Sequence, residues 1–277
     1  MTVKIMDSRL QRRVQRYGWD LAAAAYESLW RSQLAGAQSE LIARAGLMPG
    51  ERVLDVACGT GLVALAIAPT IGPRGSVLGI DLSGTMVDAA RRQAHECRSS
   101  NATFARMDAE KLDLPDAAFD VVLCALGLMY MPDSPRAVCE MHRVLRPGGR
   151  MVLAVWGERS RCGWSALFSI VDAEVASEVC PLFFSLGQQD ALARLCTEAK
   201  LEVLDSHRIA ATLLYADANE ACNAAFVGGP VALAWSRFSA AVRARVTARY
   251  VEAIEPWRRG GGYEIPGEFV VVSAVAP

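Results

Sequence analysis

The sequence predicts an α/β fold: a doubly wound, mostly parallel sheet of seven strands. Three observations carry that expectation. Across residues 52–156, short apolar runs alternate with helix-favouring segments, the signature of parallel strands joined by crossover helices. The first run, Val53, Leu54 and Val56, breaks at Gly59 and Gly61 just ahead of a helical stretch, Leu62–Ile71. At 277 residues, 52% of them apolar and 21% charged, the chain is long enough to bury a sizeable core.

Taken in order, residues 8–46 read as two helices ahead of the sheet, the second ended by Gly46 and the Pro49-Gly50 pair. Tyr17, Trp19, Tyr26 and Trp30 cluster in this segment, and the helix break is expected at Gly18. Strands are expected at residues 52–56, Ser76–Asp81, 103–107, Phe119–Ala125, 149–156, 202–212 and 263–275. Ser83 is placed to cap the helix after the second strand, and Asp133 or Ser134 the helix after the fourth. Beyond Trp156, helices are expected over 163–181, 188–199 and 231–254. The arginines of the last (Arg237, Arg243, Arg245, Arg249) read as its solvated face.

A glycine pair at a strand-to-helix break lets the backbone turn tightly and approach a ligand, because no β-carbon stands in the way. The helix behind it offers unpaired N–H groups. Two cofactor classes use such a cradle. Gly59, Gly61 and Ala64 fit the dinucleotide fingerprint, with Asp81, 20 residues past Gly61, as the ribose-binding acid. Asp55 argues the other way. A carboxylate at the end of the first strand sits beside the loop and repels a pyrophosphate there. A ligand with a cationic amine and no phosphate is favoured instead, and Asp81 can still accept from both ribose hydroxyls. S-adenosylmethionine is such a ligand: an ammonium, a sulfonium, a ribose diol and an adenine.

The run Val53-Leu54-Asp55-Val56-Ala57-Cys58-Gly59-Thr60-Gly61 resembles the first motif of class I S-adenosylmethionine-dependent methyltransferases, particularly the ubiquinone/menaquinone-methyltransferase-like group. Three further stretches match in order: 78–83 around Asp81, 107–120 from Met107 to Asp120, and 143–149 ending in Gly148-Gly149. The likeness covers residues 40–156. It implies a Rossmann-like sheet, with S-adenosylmethionine as methyl donor and S-adenosylhomocysteine as product. The cofactor residues it implies are Asp55, Ala57, Cys58, Gly59 and Gly61 at the loop, with Asp81, Leu82 and Met86 after the second strand. It adds an adenine corner at Asp108, Ala109 and Glu110, and Ala125 and Leu126 at the end of the fourth strand. Ala57 departs from the pattern, since many members carry a further glycine there. The resemblance also implies an N-terminal helical lid over residues 1–48 and a cofactor-binding core over 49–157. Residues 158–277 would then supply a helical cap insertion and the last two strands, the final one antiparallel beside the fifth.

In an open α/β sheet, ligands bind outside the carboxyl ends of the strands. The loop 126–132 should therefore touch the acceptor, with Met129 and Tyr130 where quinone-type relatives often carry a histidine. Tyr17, Trp19, Met129, Tyr130 and Trp156 are the expected substrate-binding residues. Their types point to a hydrophobic or aromatic small molecule, whether methylated on oxygen, nitrogen or carbon. A methylsulfonium is already activated, so alignment and exclusion of water can supply most of the acceleration, and no catalytic residue is assigned. His207 and Tyr130 are candidates for accepting a proton, although a tyrosine with a pKa near 10 is a weak base. His142, inside a helix, reads as structural.

Composition excludes other classes. A net charge of −1 gives no basic field for nucleic acid. No apolar run approaches the ~18 residues of a membrane span, and the N-terminus lacks the apolar core of a secretory signal. A cytoplasmic protein, monomer or homodimer, is the expectation. The eight cysteines form no C-x-x-C pair and the three histidines show no zinc spacing, so free thiols and no metal are expected. The rival functions are a catalytically silent S-adenosylmethionine-binding regulatory protein and an NAD-dependent oxidoreductase.

Overall fold

The computed structural model describes residues 7–175 and 180–277. Residues 1–6, on which the expectation of no secretory signal partly rests, lie outside the described residues. Helix α1 (Ser8–Ala45) opens at Asp7, whose side chain accepts from the Arg9 N–H, and closes at Gly46 in the left-handed conformation. The two helices expected over 8–46 are therefore one. Gly18 sits inside it, buried with Leu233 beside it. One glycine costs a helix about 1 kcal/mol against alanine, which a 38-residue packed helix absorbs.

Strands β1 (Arg52–Val56), β2 (Ser76–Asp81), β3 (Ala102–Arg106), β4 (Phe119–Ala125) and β5 (Leu145–Trp156) run parallel. Helices α2 (Leu62–Ile71), α3 (Gly84–Glu96) and α4 (Ser134–Val144) cross between them. Ser83 caps α3 by accepting from the Met86 N–H, and Asp133 rather than Ser134 caps α4 by accepting from the Arg136 N–H. Val53, Leu54, Asp55 and Val56 are at most 1% exposed, as a central parallel strand covered on both faces requires. Each buried aliphatic side chain there contributes roughly 1.5–3 kcal/mol.

After β5 come α5 (Ala166–Asp172), α6 (Ala191–Glu198) and β6 (Glu202–Tyr215). Then α7 (Ala218–Phe226), α8 (Ala232–Arg237) and α9 (Ala240–Ile254) lead to β7 (Arg258–Arg259) and β8 (Gly262–Val275). The sheet order is β3-β2-β1-β4-β5-β8-β6, with β8 antiparallel to both neighbours. The two-residue β7, folded back on β8 through Gly260, is an eighth strand beyond the seven expected. Two helix expectations are corrected. Of 163–181, the described part is a 3-10 turn, Gly163–Ser165, and the short α5; residues 176–179 lie outside the described residues. The stretch 231–254 is broken where Phe238 is extended and Ser239 caps α9 by accepting from the Val242 N–H. Of its arginines, Arg237, Arg245 and Arg249 are exposed as a solvated face requires, while Arg243 is half-buried over the Trp235 ring. No described helix is long and apolar enough to cross a membrane.

Candidate cofactor and acceptor site

The strand order reverses at β1, which has β2 on one side and β4 on the other. The loops at their carboxyl ends part there and leave a crevice. A cleft opens at this point. Asp81 ends β2 at its base. One carboxylate oxygen accepts from the Gly59 N–H at 2.9 Å and the other from the Ser83 N–H at 2.8 Å. The glycine loop and the start of α3 are thus clamped to one carboxylate, which burial pushes up to about 6. The Ser83 hydroxyl in turn donates to Asp20 of α1 at 2.6 Å.

Asp55 is 1% exposed, and one of its oxygens accepts from the Ala64 N–H at 3.1 Å, an anion at the start of α2. The other oxygen is buried with no partner. Burial, reinforced by the nearby Asp81, raises the Asp55 pKa to about 7. It faces a small recess shared with Tyr26, Gln38, Cys58 and Gly59. A buried carboxylate oxygen without a partner is costly, and a cationic amine satisfies it where a phosphate cannot. The donor set therefore fits S-adenosylmethionine. Gly61 lines neither space. Its φ is +88°, and a β-carbon there would come within 3.1 Å of the Phe104 ring, so it serves the turn and the packing beneath.

Ala57, Gly59, Asp81, Leu82, Met86, Asp108, Ala109, Glu110, Ala125 and Leu126 all line the main cavity. Asp108 accepts from the Glu110 N–H at 3.0 Å, which shapes the corner. The Glu110 carboxylate accepts from the Asp133 N–H and sits 3.0 Å from the Arg12 Nε of α1. Burial raises its pKa, opposed by the Asp133 N–H and Arg12.

The other end of the cavity is aromatic. Trp19 and Trp30 of α1, Met129 and Tyr130 of the loop after β4, and Trp156 at the end of β5 meet Trp164 and Phe183 there. Tyr130 stands edge-on to Trp19 at 5.1 Å and to Phe183 at 5.4 Å; Trp156 and Trp164 are 4.8 Å apart. Tyr17 lies outside the cavity, 45% exposed, with the Arg16 guanidinium over its ring. On an unbroken helix, positions 17 and 19 point about 200° apart, so they cannot share a pocket. His207 is exposed on β6, and His142 contacts the Ala199 carbonyl at 2.8 Å; neither reaches the cavity.

Sequence reasoning left out Arg12, Asp20, Trp164 and Phe183, and did not separate Tyr26 and Trp30 from Tyr17. The helical period holds the missing signal for two of them. Trp19, Tyr26 and Trp30 are seven and four residues apart and share a face, whereas Tyr17 does not.

A methyltransferase-domain family model matches residues 53–149. A demethylmenaquinone methyltransferase of Listeria welshimeri is 36% identical over 120 residues, 43% of this chain and 51% of that one. A ubiquinone/menaquinone biosynthesis C-methyltransferase of Pseudomonas fluorescens is 34% identical over 176 residues, 61% of this chain and 67% of that one. The chain belongs to the class I S-adenosylmethionine-dependent methyltransferases of the quinone-methyltransferase type. The family's cofactor is S-adenosylmethionine. Against the demethylmenaquinone methyltransferases, this methyltransferase-family chain spans about half of their length. Two solved structures share its fold. A (4+2)-cyclase has a TM-score of 0.66 at 22% identity, covering 96% of this chain and 97% of that one. A phosphoethanolamine N-methyltransferase of Haemonchus contortus, bound to phosphomonomethylethanolamine and S-adenosylhomocysteine, has a TM-score of 0.59 at 17% identity, covering 98% and 61%.

Proposed function

We propose that this chain transfers the methyl group of S-adenosylmethionine to a small, apolar, ring-bearing acceptor of the quinone type named by its relatives. One observation carries this. A single cavity joins Asp81 and the Asp108 corner at one end to the box of Trp19, Tyr130, Trp156, Trp164 and Phe183 at the other. In this proposal Asp81 holds the ribose diol, Asp108 and the Ala109 N–H hold the adenine, and Asp55 faces the ammonium. When bound, the cofactor supplies an activated methyl group. The aromatic walls orient a flat acceptor beside it and keep water out, and α1, tied down through Asp20 and Arg12, closes the cavity as a lid.

The test is calorimetric titration with S-adenosylmethionine, S-adenosylhomocysteine and NAD on wild type and Asp81→Ala, followed by turnover with a short-chain demethylmenaquinol. Expected are binding of the first two, weakened at least about tenfold in the variant, and many turnovers of S-adenosylhomocysteine per chain. Binding of NAD alone would overturn the cofactor assignment. Tight cofactor binding with no turnover on any quinol or phenol would leave a silent binder instead of an enzyme.

A further inference from the structure

Leu10, Tyr17 and Leu21 of α1 are 40%, 45% and 50% exposed. Spaced seven and four residues apart, they fall on one stripe of the helix, with half-buried Val14 beside them. Arg9 and Arg13 are exposed along its edge, and their guanidinium groups make no ion pair among the described residues. Arg16 lies over the Tyr17 ring at 4.4 Å from its centroid. The acids in these turns are few. Asp7 is spent on the helix cap and Asp20 on Ser83, while the fourth arginine, Arg12, turns inward to Glu110. An apolar stripe edged by arginines is the composition of a helix that lies in the surface of an anionic bilayer. An aromatic ring under a cation, as in Tyr17 and Arg16, suits the headgroup level.

The opposite side of the same turns, Arg12, Gln15 and Trp19, lines the cavity. One helix thus separates the exposed stripe from the cavity. We propose that the first four turns of α1 dock on an anionic lipid surface, with the helix itself between that surface and the cavity. A second copy of the chain is the poorer occupant. Three part-exposed side chains fall short of the roughly 800 Å² per partner of a stable interface, and a two-fold contact would set arginines against arginines. The inference stands on the surface of α1 and does not depend on which acceptor is methylated.

The test is co-sedimentation of the full chain with vesicles of phosphatidylcholine alone or mixed equally with phosphatidylglycerol, at low and high salt. The variants are Leu10→Gln with Leu21→Gln, and Arg9→Glu with Arg13→Glu. Calorimetric binding of S-adenosylmethionine checks that they fold, and sedimentation velocity reads self-association. Expected is at least about fivefold more protein on the anionic vesicles, falling with salt, and loss of most of it in both double variants. Equal recovery on both vesicle types, or variants that sediment like wild type, would overturn the proposal. So would a dimer that the leucine variants dissociate while vesicle binding is absent throughout.

Discussion

Ala57 and Gly127 share a space that holds one β-carbon. A β-carbon built on Gly127 would lie 2.3 Å from the Ala57 Cβ, closer than two carbons can stand. Gly127 has φ −100°, which any residue adopts, so crowding by Ala57, and more mildly by the Cys124 Sγ at 3.2 Å, calls for glycine there. Ala57 is the residue with the unusual backbone, at φ +56°. This chain thus carries an alanine in a left-handed turn, and the glycine that makes room for its β-carbon stands in the loop after β4. Gly127→Ala should therefore destabilise the fold by about 1–3 kcal/mol through overpacking. Ala57→Gly should leave it unchanged or up to about 1 kcal/mol more stable, because the strained turn is relaxed. In urea unfolding the double variant should recover most of the loss. Strictly additive effects would show that the two β-carbons do not compete.

In the proposed role, the Asp55 carboxylate should make cofactor binding depend on pH. Its folded-state pKa, about 7, lies above the ordinary 3.8. The stability it contributes is therefore full below about pH 4 and is lost as pH rises through about 7. The ligand-free protein should accordingly unfold more readily at pH 8 than at pH 5, and Asp55→Asn should reduce that difference. A cationic ammonium in the recess favours the ionised form, so binding below about pH 7 should release a proton, and affinity should rise with pH. Calorimetry in two buffers of different ionisation heat reads that proton directly. Asp55→Asn should abolish the release; its persistence would place the proton elsewhere.

Asp20 ties α1 to the cofactor end of the cavity. It accepts from Ser83, whose N–H holds Asp81, so one chain of bonds runs from the helix to the Asp81 carboxylate. Asp20→Ala should weaken S-adenosylmethionine binding about tenfold, in line with loss of one hydrogen bond to a charged group. Ser83→Ala should cost more, since it also uncaps α3. The double variant should cost less than the sum, because both remove the same bond. Full additivity in a calorimetric cycle would mean that the contact carries no coupling.

The cofactor half of the site was legible because its chemistry is local. The glycine break, Asp81 at the end of β2 and the Asp108 corner each occupy a few consecutive residues, and backbone rules place them. The aromatic half was legible only in part. Trp156 and Tyr130 follow from their positions at strand ends, but Trp164 and Phe183 reach the cavity from segments whose course no periodicity sets. Gly18 predicts a break beside Tyr17, but the helix runs on through it to Ala45, and the unbroken period turns Tyr17 away from the cavity. The break at Ser239 was missed by the opposite error, an uninterrupted helical composition hiding a good N-cap. Asp20 and Arg12 gave no signal at all, since their partners, Ser83 and Glu110, are 63 and 98 residues away.

Tyr130 is a wall of the aromatic end of the cavity, and in the proposed function it should be a poor proton acceptor. Burial pushes its phenol well above the usual 10, so almost none is ionised at neutral pH. Its ring, by contrast, makes edge-on contacts with Trp19 and Phe183, each worth about 0.5–1.5 kcal/mol beyond area burial. Tyr130→Phe keeps the ring and should hold kcat/KM within about threefold of wild type, with the same pH profile. Tyr130→Ala opens the box and should raise the acceptor KM at least about tenfold while kcat falls less. If the phenylalanine variant instead lost about a hundredfold in kcat and the basic limb of its pH profile vanished, the hydroxyl would be moving the proton after all.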